Sequence, residues 1–125
     1  MARRFEDAVV WITGGGSGLG AAMATRFADE GAHVAVSGRR AERLHEVVTA
    51  VEARGRRALA VPCDVTDDEA VGAAVQAVVD ELGKLDVAVA NAGFGVMGAV
   101  ADLSADDWRR QLEVNVVGAA STARH

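Results

Sequence analysis

The fold of this 125-residue chain is decided by a glycine-rich stretch near its N-terminus, Thr13-Gly14-Gly15-Gly16-Ser17-Gly18-Leu19-Gly20. An apolar run at residues 8–12 precedes the stretch and predicts a buried strand, and an amphipathic run at residues 19–30 predicts a helix after it. A glycine-rich turn between a strand and a helix directs backbone N–H groups and the positive helix end toward a phosphate. The stretch therefore predicts a dinucleotide-binding site, with an ordinary tight turn as the alternative.

Three glycines of this stretch are expected to have different roles. Gly14 would make the turn, Gly18 would let the backbone approach the pyrophosphate, and Gly20 would let the helix pack closely on the strand. A side chain at Gly18 or Gly20 would fill space that the phosphate or the strand needs. Each of these glycines is therefore a candidate site residue.

The rest of the chain alternates short apolar strands with amphipathic helices. Further strands are predicted at residues 33–37, 58–61 and 85–90, with helices at residues 40–54, after Thr66 and after Ser104. This alternation indicates one α/β domain spanning residues 1–125, with a parallel sheet covered on both faces. Right-handed crossovers predict a Rossmann-type, doubly wound sheet with the strand order 3-2-1-4, truncated after the fourth strand.

Each predicted helix carries an apolar stripe that should face the sheet. Thr66 is expected to cap the third helix, and both tryptophans are expected to fill the core. The predicted stripes are Leu19, Met23 and Phe27; Leu44, Val47, Val48 and Val51; Val71, Val75, Val78 and Leu82; and Trp108, Leu112 and Val116.

Composition and charge narrow the classes of function. The net charge of −5 argues against nucleic acid or an anionic membrane as the main partner. The single cysteine, Cys63, cannot form an internal disulfide, and the first apolar run is too short for a signal peptide or a membrane span. These two features lead us to expect a cytoplasmic protein. We expect no metal site, because His33 and His45 have no partner at metal-ligand spacing.

Four motifs in the same order resemble those of the short-chain dehydrogenase/reductase family. They are the Thr-Gly-x-x-x-Gly-x-Gly spacing at residues 13–20, Asp64-Val65, Asn91-Ala92-Gly93, and Asn115. The resemblance covers about residues 5–124. One departure is Ala90, which stands where the family has the first Asn of an Asn-Asn-Ala-Gly element.

The resemblance implies roles for these residues. The Asp64 side chain would bond the adenine amino group, although an ordinary helix-entry residue is the alternative. Residues 91–93 would support the central sheet beside the cofactor, and Asn115 would belong to the catalytic tetrad. The full set of candidate cofactor-binding residues is Gly14, Ser17, Gly18, Leu19, Gly20, Ser37, Arg39, Arg40, Asp64, Val65, Asn91, Ala92 and Gly93.

The residues at the end of the second strand bear on the choice of coenzyme. An NAD-preferring site has an Asp there that accepts hydrogen bonds from the ribose hydroxyls. This chain has Ser37-Gly38-Arg39-Arg40 instead, with no acid. A 2′-phosphate would meet Arg39, with Ser37 or Arg40 beside it, and one charge-assisted bond contributes about 1.5–3 kcal/mol. We predict NADP(H) over NAD(H); the alternative is that both arginines begin a solvated helix.

The resemblance also implies catalytic residues that this chain lacks. In the family a Ser polarises the substrate carbonyl and a Tyr-x-x-x-Lys motif delivers the proton. The chain has no tyrosine, and its single lysine, Lys84, precedes the fourth strand. One positioned acid–base group contributes roughly 10²–10⁴ in rate, so we expect the 125-residue chain to be inactive alone.

The leading hypothesis is the N-terminal part of an NADP(H)-dependent short-chain oxidoreductase. The intact enzyme would transfer hydride between nicotinamide and a small carbonyl or secondary alcohol substrate. The alternatives are a stand-alone, non-catalytic NADP(H)-binding module and a non-functional truncated product. The unpaired apolar edge of the fourth strand favours self-association, and we expect the complete enzyme to be a homo-oligomer.

Overall fold

A computed structural model describes residues 3–16, 18–93 and 98–125 of the chain. Its strands are β1 (Val9–Thr13), β2 (His33–Ser37), β3 (Ala58–Ala60) and β4 (Val87–Val89). Its helices are α1 (Gly18–Asp29), α2 (Ala41–Glu52), α3 (Asp68–Leu82), α4 (Ala105–Leu112) and α5 (Ala119–Arg124). A 3₁₀ turn at Val100–Asp102 precedes α4, and a π-helical segment at Glu113–Gly118 joins α4 to α5. None of the described helices is long and apolar enough to cross a membrane.

The four described strands form one parallel sheet in the order β3-β2-β1-β4, which confirms the predicted Rossmann-type topology. β1 lies inside the sheet, where Trp11 is paired with Ala35 of β2 and with Ala88 of β4. Because the strands are parallel, their carboxyl ends lie at one edge of the sheet. The segment that follows each strand begins at that edge.

Helices cover both faces of the sheet. Alternate residues of β1 enter different apolar clusters: Val10 and Ile12 pack under α1 and α2, and Val9 and Trp11 pack with α3. All of these side chains are almost fully buried. The burial of Trp11 confirms the prediction that this residue fills the core. The continuous burial of β1 is the reason why it appears in the sequence as an unbroken apolar run.

The apolar stripe predicted for α1 is wrong in part. Leu19 is 70% exposed, whereas Ala24 and Ala28 are buried against the sheet. Met23 and Phe27 pack only at the margin of the cluster. Small residues let the helix backbone approach the strands closely, so the contact face of α1 is made by alanines and not by its largest side chains. For α2 and α3 the predicted stripes are buried or pack against the core.

The predicted cap of α3 is also wrong. The N-cap is Asp67, whose side chain accepts a hydrogen bond from the Ala70 N–H at 3.1 Å. Thr66 instead donates its hydroxyl and its N–H to Asp64 Oδ1, at 2.7 and 3.0 Å. Thr66 therefore shapes the loop after β3, one residue before the helix cap.

The prediction for α4 holds at its start but fails for its buried face. Ser104 caps the helix in a reciprocal capping box with Asp107, as expected for the N-cap. Trp108, Leu112 and Val116, however, are 44%, 55% and 57% exposed. Four-residue spacing places side chains on one face of a helix, but it does not say what covers that face. The expectation that Trp108 fills the core is therefore wrong.

Candidate functional site

The glycine-rich turn connects β1 to α1 at the carboxyl edge of the sheet. Gly14 has a φ of +64° and Gly18 a φ of +55°, in the left-handed region that residues with a side chain rarely adopt. Ser17, a candidate cofactor-binding residue, lies outside the described residues. The two positive φ values show that this turn depends on glycine at both positions.

Close packing explains the other requirement for glycine in this turn. A Cβ on Gly20 would lie 2.1 Å from the carbonyl oxygen of Gly14, and one on Gly14 would lie 2.9 Å from Ala92 Cα. A Cβ on Gly18 would meet no described atom within 4 Å. Gly14 and Gly20 thus lie against the backbone of neighbouring segments, and the close contact of Gly20 is with the glycine-rich turn, whereas the sequence predicted a contact with the strand. Gly18 borders open space of the kind that a phosphate would need.

A buried threonine joins this turn to the end of β4. Thr13 donates its hydroxyl to the Val89 carbonyl at 3.3 Å and accepts the N–H groups of Asn91 and Ala92, both at 3.1 Å. Asn91 Nδ2 donates in turn to the Gly14 carbonyl at 3.2 Å. No role was predicted for Thr13 from the sequence. The available indication was a hydroxyl at the last position of a buried strand, from which it reaches the loop after the neighbouring strand.

A cavity of about 380 Å³ opens at this edge of the sheet, within the usual size range of small-molecule sites. The segments after β1, β2, β3 and β4 contribute to its lining, and α4 with the π-helical segment completes it. The candidate cofactor-binding residues in the lining are Gly14, Arg39, Asp64, Val65, Ala92 and Gly93. The structure therefore brings together residues that are far apart in the chain, from Gly14 after β1 to Val114 in the π-helical segment.

Asp64 presents a negative charge to the cavity. The two hydrogen bonds that its Oδ1 accepts from Thr66 hold the pKa of the carboxyl below its ordinary value, and the positive charge of Arg39 lowers it further. Oδ2 accepts no hydrogen bond from a described residue. Asp64 is thus ionised at neutral pH, with one oxygen held by the loop and one left to accept a donor from a ligand.

The three candidates at the end of β2 occupy different environments. Arg39 is exposed and lines the cavity, whereas Arg40 is exposed, lies outside the lining and is the N-cap of α2 without a side-chain capping bond. Ser37 is 1% exposed, and its hydroxyl accepts the indole N–H of Trp11 at 2.9 Å. The expected contact of Ser37 with a 2′-phosphate therefore has no support in this geometry, because the hydroxyl is buried.

Asn115 lies beside the cavity, in the π-helical segment. Its Oδ1 is 3.6 Å from the position that a Cβ on Gly93 would take. Irregular π-helical turns are frequent at functional sites. The segment packs closely on the loop after β3, since a Cβ on Gly118 would lie 2.6 Å from Val65 Cγ2. The sequence predicted a regular helix here and did not foresee the π-helical turn.

Several residues of the cavity wall were not predicted from the sequence. Arg110, Glu113 and Val114 line it from α4 and the π-helical segment. Their spacing by three and four positions, which places side chains on one face of a helix, was the available signal. Cys63 also contributes to the lining but is buried, and burial followed by the charge of Asp64 raises the pKa of its thiol. The thiol is therefore neutral and packs as a small buried side chain.

Comparison with known proteins gives consistent matches over nearly the whole chain. The family model described as short chain dehydrogenase matches residues 8–125. Meso-2,3-butanediol dehydrogenase of Serratia marcescens is 43% identical over 115 residues, which are 92% of this chain and 45% of that protein.

Solved structures agree in fold. NAD+-bound xylitol dehydrogenase has a TM-score of 0.93 at 37% identity, over 97% of this chain and 47% of that one. L-Sorbose reductase from Gluconobacter frateurii, complexed with NADPH and L-sorbose, has a TM-score of 0.91 at 37% identity, over 99% of this chain and 48% of that one. The chain spans about half the length of the relatives that it matches.

Proposed function

The chain belongs to the short-chain dehydrogenase family, and we propose that it is the coenzyme-binding part of an NADP(H)-dependent oxidoreductase. The whole protein would transfer hydride between the nicotinamide ring and a small carbonyl or secondary alcohol. The structural neighbours include one complex with NAD+ and one with NADPH. The choice between the two coenzymes therefore has to be argued from the residues of this chain.

The shape of the glycine-rich turn fits a dinucleotide. Gly18 has a positive φ and borders open space, so the backbone there can approach a pyrophosphate that a side chain would exclude. The first-turn N–H groups of α1, including that of Leu19, would hold the pyrophosphate together with Ser17. Bound in this way, the dinucleotide would supply or accept the hydride.

The other cavity residues fit the adenosine end and the central part of the coenzyme. Oδ2 of Asp64 would accept the adenine amino group, with Val65 next to the ring. Asn91, Ala92 and Gly93, fixed to the glycine-rich turn through Thr13, would form the floor beside the cofactor. These contacts orient the coenzyme and do not depend on which of the two nucleotides is bound.

Preference for NADP(H) rests on one observation: Arg39 lines the cavity at the end of β2, where the chain has no carboxylate. Within the described part of the chain, Arg39 forms no ion pair, so its guanidinium is available to a ligand phosphate. A charge-assisted hydrogen bond to a 2′-phosphate contributes about 1.5–3 kcal/mol, or roughly tenfold or more in affinity. NAD(H), which has a hydroxyl in place of the 2′-phosphate, gains no such ionic bond from this residue.

The test is equilibrium binding of NADPH and NADH to the 125-residue chain and to Arg39→Ala. We expect NADPH to bind more tightly, and Arg39→Ala to weaken NADPH by about tenfold with NADH almost unchanged. Arg26→Ala is the matched control, because Arg26 is an exposed helical arginine that pairs with Glu30 at 2.9 Å. Equal affinities for both coenzymes in all three proteins would contradict the proposed preference.

We propose Asn115 as the catalytic residue within this chain, because it lies beside Gly93 at the cavity. The 125 residues contain no tyrosine to deliver a proton, so binding of NADPH without carbonyl reduction is the expected behaviour of this chain alone. We also propose that the whole enzyme is a homo-oligomer. The exposed apolar row of Trp108, Leu112 and Val116 supports that proposal. The cytoplasmic location stays a prediction from the sequence.

A further inference from the structure

Arg43 lies on the first turn of α2, directly beside the glycine-rich turn. A Cβ on Gly16 would lie 3.3 Å from Arg43 Cβ and 3.4 Å from Leu44 Cδ2. Leu44 is fully buried and also lies 3.4 Å from the position of a Cβ on Gly38. The buried Leu44 therefore packs the first turn of α2 against Gly16 of the glycine-rich turn and against Gly38 after β2. The exposed Arg43 lies next to the same glycine-rich turn, which we assign to the pyrophosphate.

The charges around Arg43 are unusual for this chain. Most arginines of the described part have a partner, as Arg54 has in Asp29 at 2.8 Å and Arg26 in Glu30 at 2.9 Å. Arg39, Arg40 and Arg43 form no ion pair and no side-chain hydrogen bond with a described residue. In a chain with a net charge of −5, these three unpaired guanidinium groups fall within five consecutive positions.

We propose that Arg43 is a second 2′-phosphate-binding residue, which sets the preference for NADP(H) together with Arg39. The inference rests on the proposed function, since it names a further specificity-determining residue of the same site. Arg39 belongs to the cavity lining, while Arg43 lies outside the lining with its Cβ next to Gly16. A phosphate placed between the cavity and the glycine-rich turn would thus have an arginine residue on each side, each with a side chain long enough to turn toward it.

The chemistry of the ligand suits two arginines. A phosphate monoester at neutral pH carries a charge of about −1.5 to −2 and three acceptor oxygens, more than one guanidinium satisfies. Two planar forks can each bond different oxygens, and neither has to give up an existing ion pair to do so. Because Arg43 is exposed, the interaction should weaken as the salt concentration rises.

The test compares the affinities of Arg43→Ala, Arg39→Ala and the wild-type chain for NADPH and NADH. Alanine is suited to the helix and keeps the Cβ that packs against Gly16, so the change removes the charge and leaves the packing. We expect Arg43→Ala to weaken NADPH by about tenfold and NADH by less than about twofold. Arg43→Lys should retain part of the NADPH affinity, and Arg26→Ala should change neither coenzyme.

The outcomes separate this inference from the proposed function. NADPH affinity of Arg43→Ala within about twofold of wild type, while Arg39→Ala loses about tenfold, overturns the role of Arg43 and leaves the proposed function standing. An equal loss for NADPH and NADH in Arg43→Ala also overturns it, because the 2′-phosphate would then not be the group recognised. A wild-type chain that binds neither coenzyme overturns the proposed function and the inference with it.

Discussion

The contact of Gly20 with the backbone of the glycine-rich turn leads to a sharp prediction for Gly20→Ala. The added Cβ would lie 2.1 Å from the Gly14 carbonyl oxygen, 2.9 Å from the Gly14 carbonyl carbon and 2.8 Å from Asn91 Nδ2. Real Cβ atoms do not approach backbone atoms so closely. Since the carbonyl cannot rotate away as a side chain would, α1 and the turn have to move apart.

The size of the effect follows from two opposing terms. Forcing one extra methyl group into a packed site costs about 1–3 kcal/mol, and contact with backbone places Gly20→Ala near the upper value. Alanine is favoured over glycine inside a helix by about 1 kcal/mol, which offsets part of that cost. We expect a net loss of about 2 kcal/mol in the free energy of unfolding, or about 8 °C in the unfolding midpoint.

The assay is chemical and thermal denaturation followed by circular dichroism, together with NADPH binding. Gly72→Ala is the matched control, because this glycine also lies inside a helix and the atoms nearest to its Cβ would belong to the side-chain ring of His125, at 3.3 Å, and not to backbone. The control should be neutral or stabilised by up to about 1 kcal/mol, with unchanged binding. Gly20→Ala with wild-type stability and affinity would refute the assignment of a close helix–turn contact.

Two further predictions concern the loop and the sheet around the site. Gly118→Ala should destabilise the chain by about 1–3 kcal/mol and weaken NADPH binding, because its Cβ would lie 2.6 Å from Val65 Cγ2. Adding Val65→Ala removes that atom, so the double variant should cost less than the sum of the single variants, and strict additivity would contradict the contact. Asp86 accepts the Val9 N–H at 2.8 Å and lies 3.0 Å from the Lys84 ammonium, which lower the pKa of its carboxyl. A lowered pKa in the folded state contributes stability that is present above the unfolded value of about 3.9 and is lost as the pH falls through the folded value. Urea titrations should therefore give wild type a higher free energy of unfolding than Asp86→Asn at pH 6, and this difference should shrink below about pH 4. A difference that does not change with pH would contradict the linkage.

The strand order and the helices under the sheet were predictable from local pattern. The continuous apolar runs at β1 and β2 correspond to strands that are buried along nearly their whole length, and the alternation with helices leaves few right-handed topologies. The stripes of α2 and α3 were predicted correctly because Leu44, Val51, Val71 and Val78 are large side chains at helical spacing. For α1 the same reasoning was only partly right: Met23 and Phe27 pack against the core, but Leu19 is exposed and the most buried positions are held by alanines.

The candidate site was predictable where it consists of backbone. Gly14 and Gly18 have positive φ values. Glycine adopts this conformation at little cost, so the residue type alone predicts it. Side-chain environments were less accessible from sequence. Ser37 looked like a polar residue at a strand end, yet it is buried and its hydroxyl accepts a hydrogen bond from the indole of Trp11, which is distant in the chain.

What the sequence by itself determined is the order of elements, the parallel sheet and the position of the glycine-rich turn, because these depend on residue type and local periodicity. Tertiary structure alone decided which residues share the cavity wall, since Arg39, Asp64 and Val114 follow β2, β3 and α4 and line one cavity only once these elements have packed. It also decided that Thr13 joins β1 to the loop after β4, and that Trp108 stays exposed while Trp11 is buried. The physical reason is that burial and hydrogen bonding between distant segments depend on what the rest of the chain places opposite each side chain.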